Sequence, residues 1–161
     1  MPADDVRPLY RVLLWLGAAG AVILAAGLLE FFHFEPLGEH TGTRAEIQGV
    51  YSFDPASGET SGPASERFRR DDSFAARVDW STLPPDLPVG ARWYNSFGEA
   101  VGRAGPAPAA QLVSHPVVPA ELPEGQRRNL PGHYLFVVER FEGKLPVEVL
   151  ARRIVIVERD A

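Results

Sequence analysis

The chain lacks cysteine entirely. This absence excludes structural disulfides, cysteine-ligated zinc, iron–sulfur clusters, CxxCH haem attachment and the lipidated cysteine of a bacterial lipoprotein. Lysine is nearly absent too, because 15 of the 16 basic residues are arginine, a composition that suggests a GC-rich bacterial genome. The 161 residues leave room for about one folded domain.

Recognisable catalytic and metal-binding patterns are also missing. The histidines are scattered, with no HExxH or similar spacing, at His33, His40, His115 and His133. No GxSxG, Walker loop or GxGxxG occurs. We therefore expect no catalytic, cofactor-binding or metal-binding residues and predict that the protein is not an enzyme. The net charge of −5 argues against nucleic-acid binding.

Charged residues are absent from Val12–Leu29, a run of 18 residues. As a helix it is about 27 Å long, close to the roughly 30 Å hydrocarbon core of a bilayer. We predict a single transmembrane helix over residues 12–34, which include outer interfacial aromatics, and a short N-terminus over residues 1–11. A cleaved signal peptide is the alternative. The run is longer than the usual signal core, and Phe31 and Phe32 occupy the expected cleavage site, which favours an uncleaved anchor.

The arrangement of charges around this run predicts its orientation. Arg7 and Arg11 precede it, whereas the first charged residues after it are Glu30, Glu35 and Glu39. The positive-inside rule then places the N-terminus in the cytoplasm. We expect a protein of the bacterial inner membrane whose C-terminal part lies in the periplasm.

Small residues are spaced along the predicted helix. Gly17, Ala21 and Ala25 recur every four residues, and Gly20 lies close to them. Such a face lets a second helix approach closely, so we predict helix packing against other membrane subunits. An alanine-rich run also shows this spacing by chance, and that alternative stays open.

Residues 35–73 are rich in Gly, Ser and Pro and are predicted to form an extended tether. Tyr51 and Phe53 give this segment apolar side chains and are candidate interface residues. The stretch Val50–Phe53 has the composition of a short strand.

Residues 74–161 carry the signals of a β domain. Phe74–Trp80 alternates apolar and other side chains, which is typical of a half-buried strand. A hairpin is predicted around Asn95–Gly98, with Gly98 at positive φ. We predict an exposed loop over Arg103–Gln111 and a short edge strand over Val113–Val118.

The last two strands are the strongest prediction. Leu130–Glu139 and Val147–Val157 are rich in β-branched and aromatic residues and flank a Glu-Gly-Lys turn, which predicts a long antiparallel hairpin. The adjacent Arg152 and Arg153 break strict alternation, so we expect either a β-bulge near them or a strand end covered on both faces.

Several short strands separated by Pro and Gly turns predict a mainly β fold, an antiparallel β-sandwich. Trp93 in a central strand, followed by Leu130–Tyr134 at the start of the penultimate strand, resembles immunoglobulin-like and fibronectin-type-III-like domains, in which a tyrosine corner occupies that place. The resemblance implies a binding or spacing role and no catalytic residues. The disulfide of that family is absent.

The predicted function is a non-catalytic accessory subunit of a larger bacterial membrane complex, respiratory or photosynthetic, with the lipid bilayer and other membrane subunits as partners. The alternative is a stand-alone anchored module that binds a peptide, protein or glycan. The candidate interface residues are Tyr51, Phe53, Trp93, Tyr94 and His133. For at least one of Trp93 and Tyr94, packing in the core is the simpler explanation.

Overall fold

In a computed structural model, residues 15–21, 41–123 and 125–159 are described. The chain divides into two units, Met1–Leu37 and Gly38–Ala161. In the first, residues 15–21 are helical. No helix among the described residues is long and apolar enough to span a bilayer. Most of the predicted anchor, residues 12–34, lies outside the described residues, so the anchor stays a prediction.

The second unit contains two mostly antiparallel sheets that enclose one hydrophobic core. One sheet has the strand order β2-β1-β4-β7 and the other β3-β9-β8-β5-β6. The strands are β1 (Glu46–Asp54), β2 (Glu59–Ser61), β3 (Arg67–Phe68), β4 (Phe74–Asp79), β5 (Pro88–Tyr94), β6 (Ala100–Pro108), β7 (Val117–Pro119), β8 (Gly132–Glu142) and β9 (Leu145–Val157). A 3-10 turn at Trp80–Thr82 and a short helix, α1 (Ala109–Leu112), complete the unit. The predicted immunoglobulin-like β-sandwich is confirmed.

The predicted tether is wrong from residue 41 onward, because three strands of the sandwich lie in it. β1 pairs with β4, β2 pairs with β1, and β3 pairs in parallel with β9. The Gly, Ser and Pro residues of this segment form the turns between short strands. The predicted strand Val50–Phe53 is part of β1. Residues 35–40 lie outside the described residues.

A buried carboxylate attaches the start of this segment to the last hairpin. Glu148 accepts hydrogen bonds from the Thr41 backbone N–H at 2.8 Å and from the Thr41 hydroxyl at 2.9 Å, and from Arg140 Nε at 3.0 Å. Burial alone would raise the pKa of Glu148, but these hydrogen bonds outweigh it and lower the pKa. The segment is therefore bound to the domain by charge-assisted contacts.

An aromatic cluster fills the core. Trp93 of β5 lies 5.4 Å from Phe74 of β4 and 4.9 Å from Phe136 of β8, measured between ring centroids. Phe74 also contacts Tyr134, at 5.5 Å. Trp93 is completely buried, and its Nε1–H donates to the Val118 carbonyl at 2.9 Å. The prediction of Trp93 as an interface residue is wrong, because its whole side chain is used in packing the two sheets together.

The tyrosine corner is present at the start of β8. The Tyr134 hydroxyl accepts a hydrogen bond from the Leu130 backbone N–H at 3.0 Å. Burial raises the pKa of Tyr134, which favours the neutral phenol. The Asn129 amide donates to the carbonyls of Arg70 and Asp72 at 3.3 and 2.7 Å, which holds the preceding loop in place.

The predicted turn between β5 and β6 is present, but the loop predicted after it is not. Gly98 has φ 78°, as the turn between β5 and β6 requires. The predicted loop Arg103–Gln111 is wrong, because β6 continues through Pro108. Gly102 and Gly105 allow this, since a Cβ at either would lie within 2.6 Å of a neighbouring carbonyl oxygen.

The last hairpin is formed by β8 and β9, and one of its two register shifts lies close to Arg152 and Arg153, where the sequence predicts a bulge. Register shifts occur at Val138/Glu139, opposite Leu150, and at Arg140/Phe141. Pairing is regular at Arg152 and Arg153. Of the predicted edge strand Val113–Val118, only the end is extended, in β7, and Val117–Pro119 does form an edge of its sheet.

We expect Tyr134→Phe to lower the free energy of unfolding by about 1–3 kcal/mol, because it removes the acceptor of the Leu130 N–H. Tyr51→Phe, which removes an exposed hydroxyl, should change it by less than about 0.5 kcal/mol. Urea unfolding of the full chain in detergent measures both. Equal stabilities of the two variants would show that the corner hydrogen bond is unimportant.

Candidate functional site

The outer face of the five-stranded sheet is the candidate site. In β5 and β8 the residues Ala91, Trp93, Phe136 and Val138 point into the core. Because side chains alternate along a strand, the residues between them are directed to the opposite, outer face. Arg92 and residues 94, 135, 137 and 139 therefore lie on this face, where Val137 and Glu139 are themselves buried.

An apolar row crosses this face over three adjacent strands. Tyr94 pairs with Leu135, and Leu135 pairs with Ile154. Tyr94 and Leu135 are half-buried, whereas Ile154 is 52% exposed. Solvent-facing sides of antiparallel sheets are usually polar, so an apolar row there is a feature of binding surfaces.

An arginine row runs beside the apolar row, two residues further along each strand. Arg103 lies opposite Arg92, Arg92 opposite Val137, and Val137 opposite Arg152. Three guanidinium groups thus share one line across four strands. Arg92 and Arg103 are directly opposite each other, and like charges so placed destabilise a sheet by themselves, so this pair favours a negatively charged neighbour.

Glu139 lies next to the arginine row and is only 6% exposed. Its Oε2 lies 3.4 Å from Arg92 Nε and has no hydrogen-bond partner among the described residues. The Arg92 guanidinium also lies over the Phe141 ring, 5.2 Å from its centroid. Burial raises the pKa of Glu139, and the charge of Arg92 opposes this shift only in part.

A cleft of about 660 Å³ opens between β5, β6 and the β8–β9 hairpin. Three cationic side chains line it, Arg92, Arg103 and Lys144, together with one acid, Glu121. Gly90 lets Phe141 pack directly on β5, since a Cβ there would lie 3.1 Å from the Phe141 ring. The cleft and the outer face share Arg92 and Arg103, so they form one continuous surface.

The predicted interface residues fall on two different sheets. Tyr94 and His133 both lie on the outer face of the five-stranded sheet, with His133 exposed and paired with Ile156. Tyr51 and Phe53 are half-buried in β1, in the four-stranded sheet, and do not join them. The structure therefore brings together only part of the predicted set.

The predicted helix-packing residues Gly17, Gly20 and Ala21 lie in the helical residues 15–21 and are exposed. A Cβ at Gly17 or Gly20 would have no neighbour within 4 Å. Ala25 lies outside the described residues. Helix packing in the membrane stays a prediction.

Several residues of this surface are not predicted from the sequence: Arg92, Arg103, Leu135, Glu139, Lys144, Arg152 and Ile154. The signal for Leu135 and Ile154 is present, because both belong to strands whose alternate positions carry the core. Their alignment into one row depends on the register between strands, which the sequence alone leaves open.

No group of three or more His, Asp or Glu that could hold a metal ion occurs in the part of the chain that the structure describes.

No family model and no curated protein matches the chain. Among solved structures, CopC from Methylosinus trichosporium OB3b is 9% identical over 71% of this chain and 94% of its own, with a TM-score of 0.35. An immunoglobulin-like protein from Pseudomonas aeruginosa is 14% identical over 74% of this chain and 100% of its own, with a TM-score of 0.34. The fold assignment rests on the strand order and the tyrosine corner.

We expect the free energy of unfolding of Glu139→Gln, relative to that of the wild type, to increase as the pH rises from about 5 and then to level off. The folded pKa of Glu139 is raised. The folded state therefore holds this proton more tightly than the unfolded state and loses stability as pH rises towards the folded pKa. Urea unfolding at about pH 5 and about pH 8 measures the difference, with the exposed Glu46→Gln as control. If the free energies of unfolding of wild type and Glu139→Gln changed in parallel with pH, the raised pKa assigned to Glu139 would be contradicted.

Proposed function

We propose that this protein is a non-catalytic, single-pass accessory subunit of a larger bacterial membrane complex. Its immunoglobulin-like domain binds a neighbouring subunit in the periplasm through the outer face of the five-stranded sheet. The observation that carries the proposal is the apolar row Tyr94–Leu135–Ile154 on a sheet face directed away from the core.

The apolar row favours a protein partner because of its shape and composition. It contains an aromatic ring and two aliphatic side chains in register, and arginines lie along its side. Aromatic residues and arginine are enriched at protein interfaces. Burying Ile154 and the exposed parts of its neighbours would remove apolar area from water, which is the main driving force for association.

The membrane anchor is supported by the sequence. Val12–Leu29 has the length and hydropathy of a bilayer-spanning helix, and the arginines that precede it favour a cytoplasmic N-terminus. The small residues Gly17, Gly20, Ala21 and Ala25 would let this helix pack against helices of the same complex.

A stand-alone anchored binding module, recognising a peptide, protein or glycan, is the second candidate. The cleft favours it, because its volume of about 660 Å³ falls within the range of ligand pockets. The two candidates differ in the native state of the protein. A subunit migrates with its complex after gentle solubilisation, whereas a module migrates alone.

For the anchor, we expect the full chain to stay in the membrane pellet after carbonate extraction. Because the chain has no cysteine, single substitutions report topology cleanly. A membrane-impermeant maleimide should label Ser57→Cys in intact spheroplasts and Ala3→Cys only after lysis. Release by carbonate, or the reverse labelling, would contradict the proposed anchor or its orientation.

For the interface, we expect Ile154→Ser to abolish co-purification of the partner subunits from gently solubilised membranes while the domain stays folded. Val113→Ser is the matched control, since Val113 is 48% exposed and lies outside this face. It should retain the partners. A wild-type protein that migrates only as a free monomer, or equal retention by both variants, would overturn the proposed interface.

A further inference from the structure

We infer that the cleft lined by Arg92, Arg103 and Lys144 binds the carboxylates of an acidic peptide segment of the partner. This inference rests on the proposed function, because it names the chemistry that the partner presents next to the apolar row. The cleft shares Arg92 and Arg103 with the outer face, so one partner can reach both.

The charge of the cleft runs against that of the chain. Three cations and one acid, Glu121, line it, and Arg92 is also paired with Glu139 outside the lining. One net positive charge remains locally, in a chain whose net charge is −5. An approaching acidic segment is therefore attracted to this place more than to a chain of net negative charge as a whole.

Two of the cations have no partner among the described residues. Neither Arg103 nor Lys144 makes a hydrogen bond or ion pair with any residue that the structure describes. Several other arginines of the domain, though not Arg77 or Arg127, do have acidic partners in the described part of the chain: Arg67 pairs with Glu158, Arg128 with Asp71, and Arg153 with Glu66. The cleft is thus a place where the domain leaves positive charge uncompensated.

Arg92 is held in position before any ligand arrives. Its guanidinium contacts Glu139 at 3.4 Å and lies 5.2 Å from the centre of the Phe141 ring. Its backbone lies directly opposite Arg103 in the β5–β6 ladder, so the two guanidinium groups repel each other across the strands. A carboxylate that accepts hydrogen bonds from either group relieves this repulsion.

The shape of the cleft favours a peptide over a single small anion or a lipid surface. At about 660 Å³ it is concave and far larger than one phosphate or carboxylate group. The rest of the lining is small and mostly apolar, with Ala91, Ala100, Ala104 and Pro106 among it. An extended segment with acidic side chains can fill such a cleft, whereas a planar bilayer surface cannot enter it.

The experiment uses the full chain in nanodiscs of neutral phosphatidylcholine and a fluorescent hexaglutamate peptide, followed by fluorescence anisotropy. We expect saturable binding that falls at least about tenfold in Arg103→Ala/Lys144→Ala, because two charge-assisted contacts are lost. The matched control is Arg77→Ala/Arg127→Ala, which removes the same charge from two exposed arginines without partners among the described residues. It should weaken binding less than about twofold. Hexaglutamine should not bind.

Four outcomes would overturn the inference. The first two are the absence of saturable hexaglutamate binding and an equal weakening of binding by both double variants. The third is displacement of the peptide by an equal concentration of inorganic phosphate. The fourth is a cleft variant that still binds hexaglutamate but no longer binds phosphatidylglycerol vesicles. The last two would assign the cleft to a small oxyanion or to lipid headgroups. Failure of the proposed function is separate, because it is read from co-purification of Ile154→Ser.

Discussion

Trp93 lies between the two sheets, 5.4 Å from Phe74 of one and 4.9 Å from Phe136 of the other, and its indole N–H donates to the Val118 carbonyl across the core. This packing sets the parity of β5, because with Trp93 inward its neighbours on either side must face outward. The same contact brings β6 close to β7, where only a residue without a Cβ fits at Gly102. In a chain without disulfides, such packing has to hold the two sheets together.

The outer face is the complement of that core. Most residues that Trp93 and its partners direct outward fall into two rows, one apolar and one rich in arginine. In the proposed interface, the apolar row supplies area that a partner can bury, and the arginines supply charge that selects which partner does so. Glu139 balances part of this charge at the cost of its own desolvation, which is why its pKa is raised. In the proposed interface, affinity and selectivity are thus assigned to neighbouring residues of the same strands.

Much of the domain could be predicted from local sequence. The alternation in Phe74–Trp80, the turn at Gly98 and the β-branched runs of the last hairpin all identify strands that the structure contains, and Tyr134 forms the corner bond that its position indicates. The main difference between prediction and structure is the tether predicted for residues 35–73, which from residue 41 onward contains strands of the sandwich. Its turn-forming residues are as common between short strands as in an extended linker, and the contact that orders its start joins Thr41 to Glu148, 107 residues away. Local composition carries no information about such a contact.

The sequence by itself determined the uncharged N-terminal run, the absence of cysteine-based chemistry, the strand signals and the tyrosine corner, because each depends on residues that are close together in the chain. Only the tertiary structure decided that Trp93 belongs to the core, that Tyr51 and Phe53 lie on a different sheet from Tyr94, and that arginines far apart in sequence form one row. The physical reason is register: a shift of one residue between paired strands moves every side chain to the opposite face, and only the packed core selects one register.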